Sequence, residues 1–155
     1  MLVLATAGGG RWQIQILERH QWKGMDFATQ AESIRKLTEK YNVEYIGIDA
    51  TGLGVGVFQL VRSFYPARDI RYTPEMKTAM VLKAKDVIRR GCLEYDVSAT
   101  DITSSFMAIR KTMTSSGRSA TYEASRSEEA SHADLAWATM HALLNEPLTA
   151  GISTR

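Results

Sequence analysis

From Trp12 to Ile16 apolar and polar side chains alternate one for one, Trp12, Ile14 and Ile16 against Gln13 and Gln15. From Asp26 onward the apolar spacing lengthens to threes and fours. A period of two belongs to a strand with one buried face, and a period near 3.6 to a helix with a buried stripe. A chain that switches from one to the other must build a sheet and cover it with helices, so the class is α/β.

The order of elements follows from the same spacing. "MLVLAT" and "WQIQILERHQW" are strand-like runs separated by "AGGGR", turn chemistry that predicts an antiparallel hairpin. Asp26 is placed to cap a helix whose stripe is Phe27, Ala31, Ile34, Leu37 and Tyr41. "VEYIGID" reads as a short buried central strand, "GVFQLVRSF" as a helix ending before Pro66, and "RDIRYT" as a further strand. Next comes a helix from Pro74 with Met76, Met80, Ala84, Val87 and Ile88 on one side. Lys77, Lys85 and Arg89 lie away from that stripe, and Gly91 stops the helix. "CLEYD" is a brief strand, and Ile102, Phe106, Ile109 and Met113 mark another amphipathic helix. "TMTSSGRSATYEA" has a polar Ser-Gly centre between strand-capable flanks and predicts a hairpin or extended loop. "ADLAWATMHALLN" is apolar almost all round, a helix packed on every side. The alternation gives a mixed sheet flanked by helices.

With 155 residues, 45% of them hydrophobic, one compact domain with a real core is expected over 1–147, followed by a loose tail over 148–155. No run is long and apolar enough for a membrane span, and "MLVLATA" lacks the basic leader of a signal peptide. The single cysteine, Cys92, excludes an intramolecular disulfide and a cysteine zinc cluster, which suits a reducing cytoplasm. The net charge is only +2, but Glu75 to Tyr122 holds eight basic against five acidic side chains. Such a mild basic surface suits phosphate, or is simply a solvated helix face.

Two acids stand where chemistry is plausible. In "IGIDATGLGVG", Asp49 ends an apolar run and three glycines follow. The spacing Gly52, Gly54, Gly56 is not the dinucleotide pattern G-x-G-x-x-G, and no Lys-Ser/Thr pair follows as in a phosphate-binding P-loop. Asp49 then has two open roles, a carboxylate held out at the carboxyl end of a strand or a cap for the next turn. The small residues after it leave room for a substrate backbone. In "SHADLAWA", Asp134 opens the apolar helix with His132 two residues before it. Ser131-x-x-Asp134 fits a capping box, and an acid in a first turn suits the helix dipole. If Asp134 instead faces the Asp49 strand end, two carboxylates converge. Hard oxygen ligands of that kind favour Mg²⁺ or Mn²⁺, as two ions that activate water and stabilise the leaving oxygen of a phosphodiester. His20, in a polar strand end, and His141, in the last helix, carry no such argument.

"YIGIDATGLGVG", "PEMKTAMVLKAKDVIRRGCLEYD" and "SFMAIRKTMTSSGRSATYEASRSEEASHADLAWA" together resemble the nuclease domain of terminase large subunits, the DNA-packaging motors of tailed bacteriophages. The resemblance runs from about Trp12 to Pro147, with the motifs in the same order. It implies an RNase H-like fold and a two-metal endonuclease that uses Mg²⁺ or Mn²⁺ to cut concatemeric double-stranded DNA in the bacterial host's cytoplasm. It also implies the terminase small subunit and the portal protein as partners, and no membrane. Asp49 and Asp134 correspond to the family's catalytic metal ligands, with His132 close enough to Asp134 to assist it. Lys77, Lys85 and Arg89 on the basic helix, and Arg118 in the hairpin, would meet the DNA backbone.

One departure bears on activity. The family's first catalytic aspartate lies on a strand upstream of the hairpin, whereas here no Asp or Glu precedes Glu18. A chain lacking that strand is expected, with Glu18, Glu128 or Glu129 as possible stand-ins. The G-x-x-x-x-G-K-S/T loop of the ATPase half occurs nowhere in the sequence. A catalytically inactive remnant that binds DNA or a partner is therefore the alternative expectation. A small-molecule α/β enzyme built on the glycine loop is a third.

Overall fold

The structure, a computed structural model, describes residues 1–7, 13–124 and 133–146. It resolves into two compact units, one of Met1–His20 with Thr73–Arg155 and the other of Gln21–Tyr72. The expected "GGGR" turn, Trp12, the Ser131 cap, His132, Glu128, Glu129 and the 148–155 tail lie outside the described residues. No described helix is long and apolar enough to cross a membrane.

In the first unit β1 (Leu2–Ala7) and β2 (Gln13–Arg19) pair antiparallel, with a register shift between Val3 and Leu4. The alternation read from the sequence holds: Ile14 and Ile16 are buried and Gln15 is exposed. The brief strand β5 (Leu93–Glu94) adds parallel to β2, so this sheet is mixed. The pairing extends through Ile14 N–H, which donates to the Cys92 carbonyl at 2.7 Å.

Helix α3 (Pro74–Arg89) has its ends where the sequence sets them. Thr73 Oγ1 accepts from Met76 N–H, and Pro74 occupies the first turn, where a missing N–H costs nothing. At the other end Gly91 takes φ +62°. Its N–H reaches Ile88 O at 2.9 Å while Cys92 N–H reaches Val87 O at 3.0 Å, the paired bonds of a Schellman stop. The buried stripe is Met80, Val81, Ala84 and Val87. Ile88, expected inside, is 46% exposed, because α3 packs against β7 (Ala120–Ala124) and α5 (Ala133–Leu143), which turns Val81 inward in its place.

The helix expected from Ile102 to Met113 is shorter. α4 (Thr100–Met107) ends at Ala108, and Ile109–Met113 is strand β6, paired antiparallel with β7. A spacing of four places two residues on one face of either a helix or a strand, so Ile109 and Met113 satisfied both periods. The expected hairpin is present: Gly117 takes φ +67°, its N–H donates to Thr114 O at 2.7 Å, and Thr114 N–H donates to Ser119 O at 2.8 Å. Helix α5 buries Leu135, Trp137, Met140 and Leu143, each worth about 1.5–3 kcal/mol of transfer free energy. Leu135 joins Ile16, Ala99 and Ile102 in a core lined by Leu2, Leu4, Leu93, Tyr95 and Phe106.

The second unit is a helix followed by a strand-helix-strand crossover. α1 (Phe27–Lys40) starts at Asp26, whose carboxylate accepts from Thr29 N–H at 2.9 Å. β3 (Gly47–Asp49) and β4 (Arg68–Ile70) pair parallel on either side of α2 (Gly54–Arg62). Ala31, Ile34, Val57, Val61 and Ile70 are its buried residues. β3 is shorter than the run "VEYIGID" suggests and is not central: among the described residues its ladder partner is β4. Upstream of the strand the Val43 carbonyl accepts from the Tyr65 hydroxyl at 2.9 Å, a side-chain bond in place of a ladder bond.

Candidate functional site

Asp49 closes β3, half-buried. Its Oδ1 accepts from Thr51 N–H at 2.7 Å, so the turn-capping role is filled. The ladder runs on through Ala50 N–H to Ile70 O at 2.9 Å, and Thr51 Oγ1 accepts from Tyr72 N–H at 3.2 Å. Those bonds fix the backbone on both sides of Asp49 and orient its carboxylate. No hydrogen bond from a described residue reaches Oδ2. The turn-capping role thus occupies one oxygen of the carboxylate, Oδ1.

The three glycines have three different causes. Gly52 takes φ +68° with open space around it and makes the turn. A Cβ on Gly54 would stand 1.8 Å from the Asp49 carbonyl oxygen, so only glycine lets α2 start directly against the end of β3. A Cβ on Gly56 would meet the Phe27 ring at 2.5 Å, within the packing of α1 on α2. Gly54 and Gly56 are thus required by packing against this chain's own atoms, while Gly52 faces open space.

Asp134 stands in the first turn of α5, exposed, between Ala133 and Leu135, which are both buried. Desolvation by the surrounding packing raises its carboxyl above the ordinary range, and the Met1 ammonium pulls it back in part. No described residue makes a hydrogen bond to it. The turn itself is held from outside the helix, since Ala136 N–H donates to Ser105 Oγ at 2.7 Å, a wholly buried bond from α4. At the far end of α5 the Lys83 ammonium donates to the Glu146 carbonyl.

Of the other acids, Glu18 Oε2 lies 3.0 Å from His20 Nε2, while Glu128, Glu129 and His132 fall outside the described residues. Among the described residues no three His, Cys, Asp or Glu side chains gather around one point. His141 is 7% exposed, a core histidine.

The basic side chains divide by environment. Lys85 lies over the Tyr122 ring, 5.3 Å from its centroid. Arg89 is paired with Asp86 at 2.8 Å, and Lys77 is half-buried in the first turns of α3. Arg118 stands exposed at the hairpin tip. Lys111, not singled out from the sequence, is exposed and directly opposite Tyr122 across the hairpin, so it shares a face with the ring beneath Lys85. The sequence signal for it was the register of "IRKTM" on "ATYEA", legible only once that segment is known to be a strand.

The family described as terminase RNaseH-like domain matches residues 2–146. The chain belongs to that family. The terminase ATPase subunit of Escherichia phage P2 is 92% identical over 155 residues, an overlap of 99% of this chain and 26% of that protein. The "Probable terminase, ATPase subunit" of Haemophilus phage HP1 (strain HP1c1) is 44% identical over 137 residues, covering 87% of this chain and 23% of that one. The chain thus spans about a quarter of the length of these relatives. Its fold matches the crystal structure of the large terminase nuclease from thermophilic phage G20c with bound cobalt, with a TM-score of 0.71. That match covers 94% of this chain and 81% of the other at 14% identity, and it establishes the RNase H-like mixed α/β fold expected from the resemblance.

Proposed function

We propose that this terminase RNaseH-like domain is a metal-dependent endonuclease that cuts concatemeric double-stranded DNA during phage genome packaging in the host cytoplasm. The observation that carries the reading is the family match over residues 2–146, with carboxylates at the two positions where the family resemblance asks for them, the end of β3 and the start of α5. The donor chemistry fits a hard divalent cation, because among the described residues none donates a hydrogen bond to Asp49 Oδ2 or to the Asp134 carboxylate. The cobalt bound to the phage G20c nuclease supports a divalent ion here, with Mg²⁺ or Mn²⁺, two ions, as the working choice. Bound there, the metal supplies an activated water and neutralises charge at phosphorus.

The chain's own residues then have separate tasks. Asp49 presents Oδ2 from a turn fixed by its own Oδ1, so its geometry is set before metal arrives. Asp134 presents its carboxylate from the end of a largely buried helix, and His132 assists it. Lys77, Lys85, Lys111, Arg89 and Arg118 contact phosphates and set register without reading bases. Sequence-neutral grip of this kind suits an enzyme that trims whatever DNA is being packaged, with the small subunit and portal protein as its partners. Arg118→Ala is expected to weaken plasmid binding by a few-fold and lower the salt slope of log Kd by about 1, measured by filter binding across salt.

Nicking of supercoiled plasmid in Mn²⁺ tests the reading, with Asp49→Ala and EDTA beside the unaltered chain. Cutting is expected in Mn²⁺ alone. Cutting that persists in EDTA would end the metal assignment. Salt-dependent DNA retention with no cutting would favour the second reading, a DNA-binding module without catalysis. The absence of a three-ligand group among the described residues is the observation that keeps this second reading in play.

A further inference from the structure

We infer that Ser105 is a positioning residue for Asp134, acting through the main chain of α5. The inference rests on the proposed role of Asp134 as a metal ligand. α4 buries two residues, Ile102 and Ser105, against its neighbours, and Ser105 is 0% exposed. A helix position that faces the core ordinarily carries an apolar side chain, since a hydroxyl buried without a partner is costly. Here the hydroxyl has a partner on another element: Ser105 Oγ accepts from Ala136 N–H at 2.7 Å. That N–H lies in the first turn of α5, where a helix has the fewest acceptors of its own and frays first. Asp134 is two residues away on the same turn. Holding Ala136 therefore holds the backbone from which the Asp134 carboxylate projects.

Thr139 supplies the contrast on the same helix. It is equally buried, but its Oγ1 donates to Leu135 O at 2.8 Å, a bond within α5 that ties the helix to nothing else. Two buried hydroxyls thus have different jobs, one internal and one a tether between helices. Ligands are commonly oriented by partners that never touch the metal, and loss of such a partner weakens metal binding without removing a donor atom.

The test measures Mn²⁺ binding by the loss of the free-ion EPR signal in the unaltered chain, Ser105→Ala, Ser105→Cys, Thr139→Val and Asp134→Asn. Ser105→Cys nearly keeps the volume while weakening the acceptor, so it stands in if the alanine variant does not fold. The expected result is Mn²⁺ affinity about 10-fold lower in the Ser105 variants, with faster amide exchange at Ala136. Thr139→Val is expected to stay within about twofold of the unaltered chain, since it leaves the Ser105–Ala136 tether between the two helices in place. Unchanged affinity in the Ser105 variants, or an equal loss in Thr139→Val, overturns the positioning role while Asp134 stands as a ligand. Equal Mn²⁺ binding by the unaltered chain and Asp134→Asn overturns the ligand assignment itself, and the inference with it.

Discussion

Asp134→Asn is expected to abolish plasmid nicking, by at least about 10²-fold, while leaving the metal-free chain as stable as before or more so. The two effects share one cause. Packing at the start of α5 desolvates the carboxylate and raises its pKa above the ordinary value. The folded state therefore binds this proton more tightly than the unfolded one, and stability is greatest below the ordinary carboxyl range. It declines as pH rises through the raised value, and at neutral pH the ionised group is a net cost to folding. Asparagine keeps the shape and removes that charge. The variant's melting temperature in EDTA should equal or exceed that of the unaltered chain at pH 7. The difference should close near pH 4 and below, where the acid itself is protonated. A variant less stable at neutral pH, or one that still nicks, would contradict the account. A stability gain paired with loss of cutting is the pattern of a group retained for chemistry at the expense of the fold.

Gly54→Ala carries the second large effect. The added methyl would sit 1.8 Å from the Asp49 carbonyl oxygen and 3.0 Å from its carbonyl carbon. Both are main-chain atoms of a strand end already held by the Ala50–Ile70 bond, so no side-chain rotation relieves the overlap. Overpacking of this kind costs about 1–3 kcal/mol, which for a chain of this size lowers Tm by roughly 2–12 °C. The strand end has to move, and Asp49 moves with it, so nicking should fall alongside stability. Gly56→Ala is the control. Its methyl would press on Phe27, a ring already 40% exposed with a free direction of escape. The gain of about 1 kcal/mol in helix propensity offsets that shift, leaving Tm within about 2 °C. Thermal melts of both variants decide whether Gly54 is a packing requirement or a flexible joint.

These outcomes show how far residue spacing carries. Asp26, Pro74 and Gly91 marked helix ends because capping is local, and α1 and α3 begin or stop there. Ile14 and Ile16 declared the buried face of β2 for the same reason. Ile109 and Met113 went to a helix on paper and to a strand in the fold, since a gap of four serves either period. Ile88 gave way to Val81 because the neighbours of α3, not its own sequence, select which side is covered. Of the candidate site residues, Asp49 and Asp134 were legible as acids at the edges of apolar runs. Ser105 was not, because its partner is a main-chain N–H 31 positions away, and no spacing rule connects the two.

The division of the chain also sets an order of events in time. Residues 21–72 find their partners among themselves, as α1 against α2 and β3 against β4. As the chain is synthesised, the helix and strand pairings within that segment can form once Tyr72 has emerged. The first strands do not: Ile14 waits for Cys92, and Leu2 and Leu4 wait for Leu135. Closing those long loops is an entropic delay, and until it is overcome β1 and β2 remain an uncovered hairpin with its apolar face in water. The stretch from Ala133 to Leu143 thus arrives well after the strands whose face it covers. Refolding should accordingly be biphasic, with residues 21–72 gaining amide protection ahead of Ile14 and Ile16.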